Sequence, residues 1–233
     1  MKTCIKRRIA VALALIGLFL ISMIYSVGTE KKVTDFKKIC IVLDAGHGGI
    51  DGGSEGATTG VKESYLNLLI VKELEKLFLS GGFKVVLTRD GDYGLYGDES
   101  PGFKLRDLEK RVQITNQANA ELFISIHINK FTSPSRKGVQ VFYKKGCEQS
   151  KKLAEAIQLE TNLLKEQERM YNALSGDYYV LNGINTSGVI VECGFLSNQQ
   201  DEQLLQTDEY RKSLAKRVYS GVFRYFTKQN KTK

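Results

Sequence analysis

Only two histidines occur among the 233 residues, and each follows an apolar run. His47 comes after IVLDAG at the start of a glycine-rich stretch, and His127 lies near the end of FISIHIN. In open α/β sheets ligands bind outside the carboxyl ends of the strands, so both imidazoles are expected at one edge. A single strand-end histidine is usually structural; two of two at one edge point to metal binding or acid–base work. Glu63 stands where a helical pattern opens, at the same edge, and Glu192 lies inside the apolar run VIVECG. A carboxylate in such a run is costly unless a charge compensates it. Glu192 is therefore either the ion-pair partner of Arg89 or Arg111, or a working acid–base group. Two neutral imidazoles and a carboxylate, with a fourth position left to water, are the donor set of a catalytic zinc. One zinc ion with His47, Glu63 and His127 around it, and Glu192 moving a proton, is the chemistry these residue types predict.

Two other patterns in the same stretch carry less. Gly52-Gly53-Ser54-Glu55-Gly56 matches G-x-S-x-G, but glycines rather than a strand precede Ser54 and no helix follows it, so the strained nucleophile turn has no scaffold. The glycines also fall short of the dinucleotide fingerprint, because position 51 is Asp. They are better explained by tight turns and close backbone approach to the site.

The elements that must hold these residues alternate regularly. Continuous apolar runs predict strands at 38–44, 84–88, 121–128, 138–143 and 188–194. Helical spacing of apolar residues predicts helices at 64–80, 105–118, 147–165 and 210–228. Residues 90–104 form a long Gly-, Tyr- and Asp-containing loop of the kind that carries function. This alternation predicts a single α/β domain with a mixed, largely parallel central sheet flanked by helices, the zinc site at the carboxyl ends of its strands.

Composition bounds the rest. With 42% hydrophobic and 26% charged residues the chain is globular, not fibrous or disordered. The net charge of +8 includes Lys2, Lys6, Arg7 and Arg8; beyond residue 27, 30 basic and 26 acidic side chains leave +4. No basic-aromatic cluster concentrates that charge, so no nucleic-acid partner is expected. Ile9–Val27 holds 19 uncharged residues behind the basic start, the length of a membrane-spanning segment with its N-terminus inside and the body outside. Residues 1–27 are thus expected to be a signal-anchor, ahead of cleavage as a signal peptide, with 28–37 a stalk and 38–233 the catalytic domain. Cys4, Cys40, Cys147 and Cys193 show no CxxC spacing, and a disulfide-poor exported body suits a bacterial wall compartment.

The motifs DAGHGGIDGG, GVKES, LTRDGD, LEKRVQITNQANAELFISIHIN, GVQVFY and VIVECGFLSNQQDEQLL, in this order, resemble the zinc-dependent N-acetylmuramoyl-L-alanine amidases (the Amidase_3 class) over about residues 38–228. The short form with one anchor is most similar to the germination-specific cortex amidases of endospore formers. The resemblance implies hydrolysis of the amide between N-acetylmuramic acid and L-alanine in peptidoglycan. In the cortex this precedes muramic-δ-lactam formation, in the forespore compartment. It carries the zinc ligands to His47, Glu63 and His127 and the catalytic glutamate to Glu192. It also marks Arg89 and Asn129 as substrate-binding candidates, with Arg106 and Arg111 equally suited to structural ion pairs. Where relatives follow the ligand glutamate with Lys-Asp or Lys-Asn, this chain has Ser64-Tyr65. Weakened support behind Glu63, loosely held zinc and an exported protein partner that braces the site are the expected consequences. Two other readings compete: a zinc exopeptidase on a related scaffold, and a non-catalytic wall-binding protein.

Overall fold

A computed structural model of the chain describes residues 35–229. The expected anchor at 1–27 and most of the stalk lie outside the described residues. Among the described residues no helix is long and apolar enough to cross a membrane. The described residues fall in one compact unit that includes Asp35 onward. Phe36, expected in the stalk, opens a 3₁₀ turn and stacks on Phe83, Phe223 and Phe226.

Six strands form one sheet: β1 (Cys40–Ala45), β2 (Lys84–Leu87), β3 (Leu122–Asn129), β4 (Gln140–Lys144), β5 (Leu174–Gly176) and β6 (Ser187–Phe195). Their order is β2-β1-β3-β6-β4-β5. Every pairing is parallel except β4 with β6, which gives the mixed, largely parallel sheet the alternation predicts. The helices are α1 (Glu63–Ser80), α2 (Phe103–Gln117), α3 (Glu148–Thr161), α4 (Tyr179–Gly183), α5 (Gln199–Leu205) and α6 (Asp208–Gln229). Three short elements escape the sequence pattern: β5, α4 and α5 are too brief to show a period. The start of α5 is set by Asn198, whose side chain accepts from the amide of Asp201.

Strand alternation divides the core between two faces. Ile41, Leu43, Ile124, Ile126 and Val191 point to the face covered by α1, α3 and α6, where they meet Leu66, Ile70, Leu74, Leu153, Ile157 and Val218. Each such fully buried side chain contributes roughly 1.5–3 kcal/mol. Val42, Phe123 and Ile190 point the other way, into a smaller cluster with Val180, Leu181 and Ile184 and with Leu108 and Val112 of α2. Two residues further along the same face stand Asp44, Ser125 and Glu192, and His127 follows Ser125 by the same step. The polar residues are therefore the continuation of an apolar face toward the carboxyl ends, where the thinner helical layer leaves a cleft.

Candidate active site

The cleft has a volume of about 330 Å³ and is lined by His47, His127 and Glu192 together with Asp51, Lys104 and Tyr178. Its floor is a buried polar hub. Asp44 accepts hydrogen bonds from Thr88 (2.6 Å) and Ser125 (2.5 Å) and pairs with Arg111, which also donates to Asp107 (2.6 Å) and to the carbonyls of Ala45 and His47. Burial alone would raise the Asp44 carboxyl, but Arg111, Ser125 and Thr88 hold it below its ordinary value. The hub ties β1, β2, β3 and α2 together beneath the loop that carries His47.

That loop presents His47 in the left-handed region, with φ of 62°, a conformation costing on the order of 1–3 kcal/mol in a non-glycine residue. Its Nδ1 bonds Asp51 at 2.8 Å, which turns Nε2 toward Glu63 Oε1, 3.2 Å away. The same Glu63 oxygen lies 3.0 Å from His127 Nδ1. The three residues can each offer a donor atom within 4.8 Å of the others. Ligands bound at about 2.0–2.1 Å to one tetrahedral zinc stand about 3.3 Å apart, so the donor set fits a single ion. Close approach depends on two glycines. A Cβ at Gly46 would lie 2.2 Å from the His127 ring, and one at Gly53 would lie 2.7 Å from both Glu63 Oε2 and the His47 ring.

Electrostatics within the cluster follow from this proximity. Burial pulls the His47 imidazole down, yet Asp51 and Glu63 hold it up at about 9. Burial pushes Glu63 up, and hydrogen bonds from His127 and His47 outweigh it, leaving the carboxylate well below its usual range. Asp51 is held down at about 2, chiefly by its bond to His47. Asp51 is the residue that sequence reasoning passed over. Its signal was its position four residues after His47 in the same turn, the place from which a carboxylate can orient an imidazole.

Glu63 does not lack support, contrary to the expectation drawn from Ser64-Tyr65. Its Oε2 accepts from the amide of Ser54 (2.9 Å), and its Oε1 accepts from the amide of Ile128 (3.1 Å) and from Asn67 (3.4 Å). Tyr65 points outward and is exposed, while Ser64 is buried and receives Arg89 on its carbonyl. Ser54 thus serves the site through its backbone, consistent with the missing nucleophile turn.

Glu192 sits beside His127, the two being register partners across β3 and β6. Its Oε2 is buried with no hydrogen-bond partner among the described residues. Burial, reinforced by the Glu63 charge against that of the histidines, raises its carboxyl to about 7. The ion pair with Arg89 or Arg111 is absent: Arg111 is held by Asp44 and Asp107, and Arg89 donates to the carbonyls of Ala45, Gly46, Ser64 and Gly91. Arg89 is also 1% exposed and lies behind the His47 loop, held to the carbonyls around it. Arg106 likewise holds its own loop, through Asp98 and nearby carbonyls. Asn129 lines a separate, smaller cavity at the same sheet edge.

The chain as a whole is similar to known proteins. A family model described as N-acetylmuramoyl-L-alanine amidase matches residues 41–224. The germination-specific N-acetylmuramoyl-L-alanine amidase of Bacillus subtilis is 34% identical over 193 residues, covering 81% of this chain and 80% of the relative. Among solved structures, the CwlD amidase of Clostridioides difficile, in complex with the GerS lipoprotein, superposes with a TM-score of 0.78. It is 35% identical, over 81% of this chain and 98% of the other. A second amidase from Clostridium difficile superposes with a TM-score of 0.72 at 29% identity, over 81% and 96% of the two chains. On the family match across most of its length, the chain belongs to the N-acetylmuramoyl-L-alanine amidases.

Proposed function

We propose that this amidase is zinc-dependent and acts on the peptidoglycan of the spore cortex, with His47, Glu63 and His127 holding one zinc ion and Glu192 as the acid–base group. The observation that carries the reading is the convergence of three donor atoms beside a buried carboxyl group that has no partner. When bound, zinc supplies a Lewis acid that polarises the amide carbonyl and acidifies water. Glu192, with its carboxyl near 7, can take a proton from the attacking water and return it to the alanine nitrogen as the C–N bond breaks. Asp51 fixes the His47 tautomer, and Ser54, Ile128 and Asn67 keep the Glu63 carboxylate aimed at the cluster.

The cortex assignment rests on the similarity to the germination-specific relative of Bacillus subtilis. Removal of stem peptides there would precede muramic-δ-lactam formation. Residues 1–27 would anchor the body on the outer side of a membrane, as their charge and length suggest. An exported protein partner is supported by the solved relative that is held in complex with a lipoprotein. The exopeptidase reading has less behind it: one three-donor group is present among the described residues, and the family match is to amidases. The test is metal content of the purified chain together with mass spectrometry of muropeptides. Stoichiometric zinc and new alanine amino termini are the expected result. Cleavage between peptide residues, with the muramoyl amide intact, would replace amidase by peptidase.

A further inference from the structure

Beside the catalytic cleft, on the β4 side of the sheet, lies a second cavity of about 180 Å³ whose walls include Asn129, Phe131, Arg136, Phe142, Tyr171 and Phe195. The Arg136 guanidinium stands over the Phe131 ring, 4.9 Å from its centroid, and the ring is itself 46% exposed. No carboxylate pairs with Arg136 among the described residues, whereas Arg89, Arg106, Arg111 and Arg211 are all held by carboxylates or carbonyls. The loop that bears the pair is fastened along its length. Phe131 donates its amide to Ser197 Oγ (3.0 Å), the Pro134 carbonyl accepts from Asn198 (2.7 Å), and the Lys137 carbonyl accepts from the Tyr171 hydroxyl (3.0 Å). A cation stacked on an aromatic ring in a tethered loop is preorganised for an anion, because little freedom remains to be lost on binding.

The cavity is separate from the catalytic cleft but adjoins it. Gln140, which also lines it, is the register partner of Glu192 across β4 and β6, one strand spacing of about 4.8 Å away. Phe142 packs edge-on against Tyr178, a wall of the catalytic cleft, at 5.6 Å. One extended residue, about 3.3–3.6 Å, spans a comparable distance. The muramoyl side of the scissile amide is a neutral sugar, while the stem peptide carries a free carboxylate on the residue after L-alanine. We infer that this cavity is the subsite for the second stem-peptide residue, with Arg136, seated on Phe131, reading its free α-carboxylate. Asn129 also lines this space and adds a polar side chain to it.

This inference rests on the amidase reading, and the experiment separates the two. The probes are muramoyl-L-Ala-γ-D-Glu-diaminopimelate and its counterpart in which the α-carboxylate is amidated, with the corresponding free tripeptides as binding ligands. The full-length zinc-loaded chain should cleave the acid with kcat/KM about 10-fold or more above the amide, the range for a charge-assisted hydrogen bond near the surface. Arg136→Gln should bring that ratio close to one without changing zinc content or melting temperature, and Arg136→Lys should restore part of it. An equal preference in wild type, or a preference that survives in Arg136→Gln, overturns the subsite. If wild type cleaves neither muramoyl compound, the amidase reading fails; tripeptide binding by calorimetry then decides the subsite by the same ratio.

Discussion

At the scale of single residues, the two carboxylates of the site are driven in opposite directions by what surrounds them. Glu63 is flanked by both imidazoles and stays ionised; Glu192 is shielded, unpartnered and raised to about 7. In the proposed site such a split between neighbouring acids would make Glu63 the ligand and Glu192 the proton carrier. Glu192→Gln should therefore retain zinc while losing roughly 10²–10⁴ in rate, the usual worth of acid–base catalysis. Stability gives an independent check. The folded Glu192 carboxyl binds its proton more tightly than an unfolded one, so its contribution falls as pH rises through about 4.5 to 7. In the metal-free protein, Glu192→Gln should melt above wild type at pH 8 and level with it at pH 4. A structural ion-pair role predicts the reverse at pH 8. His47 offers a second test. Held up at about 9, it is protonated at pH 7 in the metal-free protein, and that proton stabilises the fold below pH 6.5 and ceases to do so as pH passes 9. Zinc must displace it, so calorimetric titration at pH 7 in two buffers of different ionisation enthalpy should show about one proton released per zinc. No buffer dependence would mean that His47 is not a ligand or is not charged.

At the scale of elements, the site is a product of register. Phe123, Ser125 and His127 alternate onto one face of β3, and the partners of Ser125 and His127 on β6 are Ile190 and Glu192. A one-residue slip in either strand would turn the pair to opposite faces. Gly46 follows β1 directly and leaves room for the His127 ring to lie against its backbone. Gly46→Ala should push that ring out of reach of Glu63 and lower zinc affinity by about 10–100-fold, the scale of lost ligand support, with the sheet intact by circular dichroism. Unchanged affinity would show that the ring has another place to sit. Beneath, Asp44 joins β1, β2, β3 and α2 through Thr88, Ser125 and Arg111. Arg111→Ala strands two acids in a buried hub and should cost about 3–5 kcal/mol in denaturant unfolding. A loss below about 1 kcal/mol would place the hub's strength in its hydroxyl bonds.

At the scale of the whole molecule, every group of the proposed site falls between Asp44 and Glu192, inside one compact unit that includes Asp35 onward. The loop at 55–62 is held by Glu202 of α5, which accepts from the amides of Thr58 (2.9 Å) and Thr59 (2.7 Å), so the far end of the chain secures the entrance to α1. A fragment of residues 35–233 should accordingly fold, bind one zinc per chain and cleave soluble muropeptides. Its melting curve and metal content check this. Zinc uptake only after an exported partner is added would move part of the support for the site into that partner, in spite of the bonds that Ser54, Ile128 and Asn67 already make to Glu63.

The α/β alternation, and the grouping of His47, Glu63, His127 and Glu192 at one sheet edge, were legible in the amino-acid sequence. Long apolar runs and strand-end positions are local patterns, and polar residues inside them have few structural uses. The brief elements β5, α4 and α5 were not legible, because three to seven residues carry no period against which tertiary contacts can be read. Nor were the partners of the arginines. The residues around Arg89 and Arg111 admit pairing with Glu192 as readily as with anything else; only the packed sheet decides that Arg111 meets Asp44 and Asp107 and that Arg89 meets four carbonyls. The same holds for Asp51 on His47, for the backbone amides behind Glu63, and for Arg136 on Phe131. Such contacts depend on where loops end in space, and loop ends are set by long-range hydrogen bonds and close backbone approach, not by the local pattern of side chains.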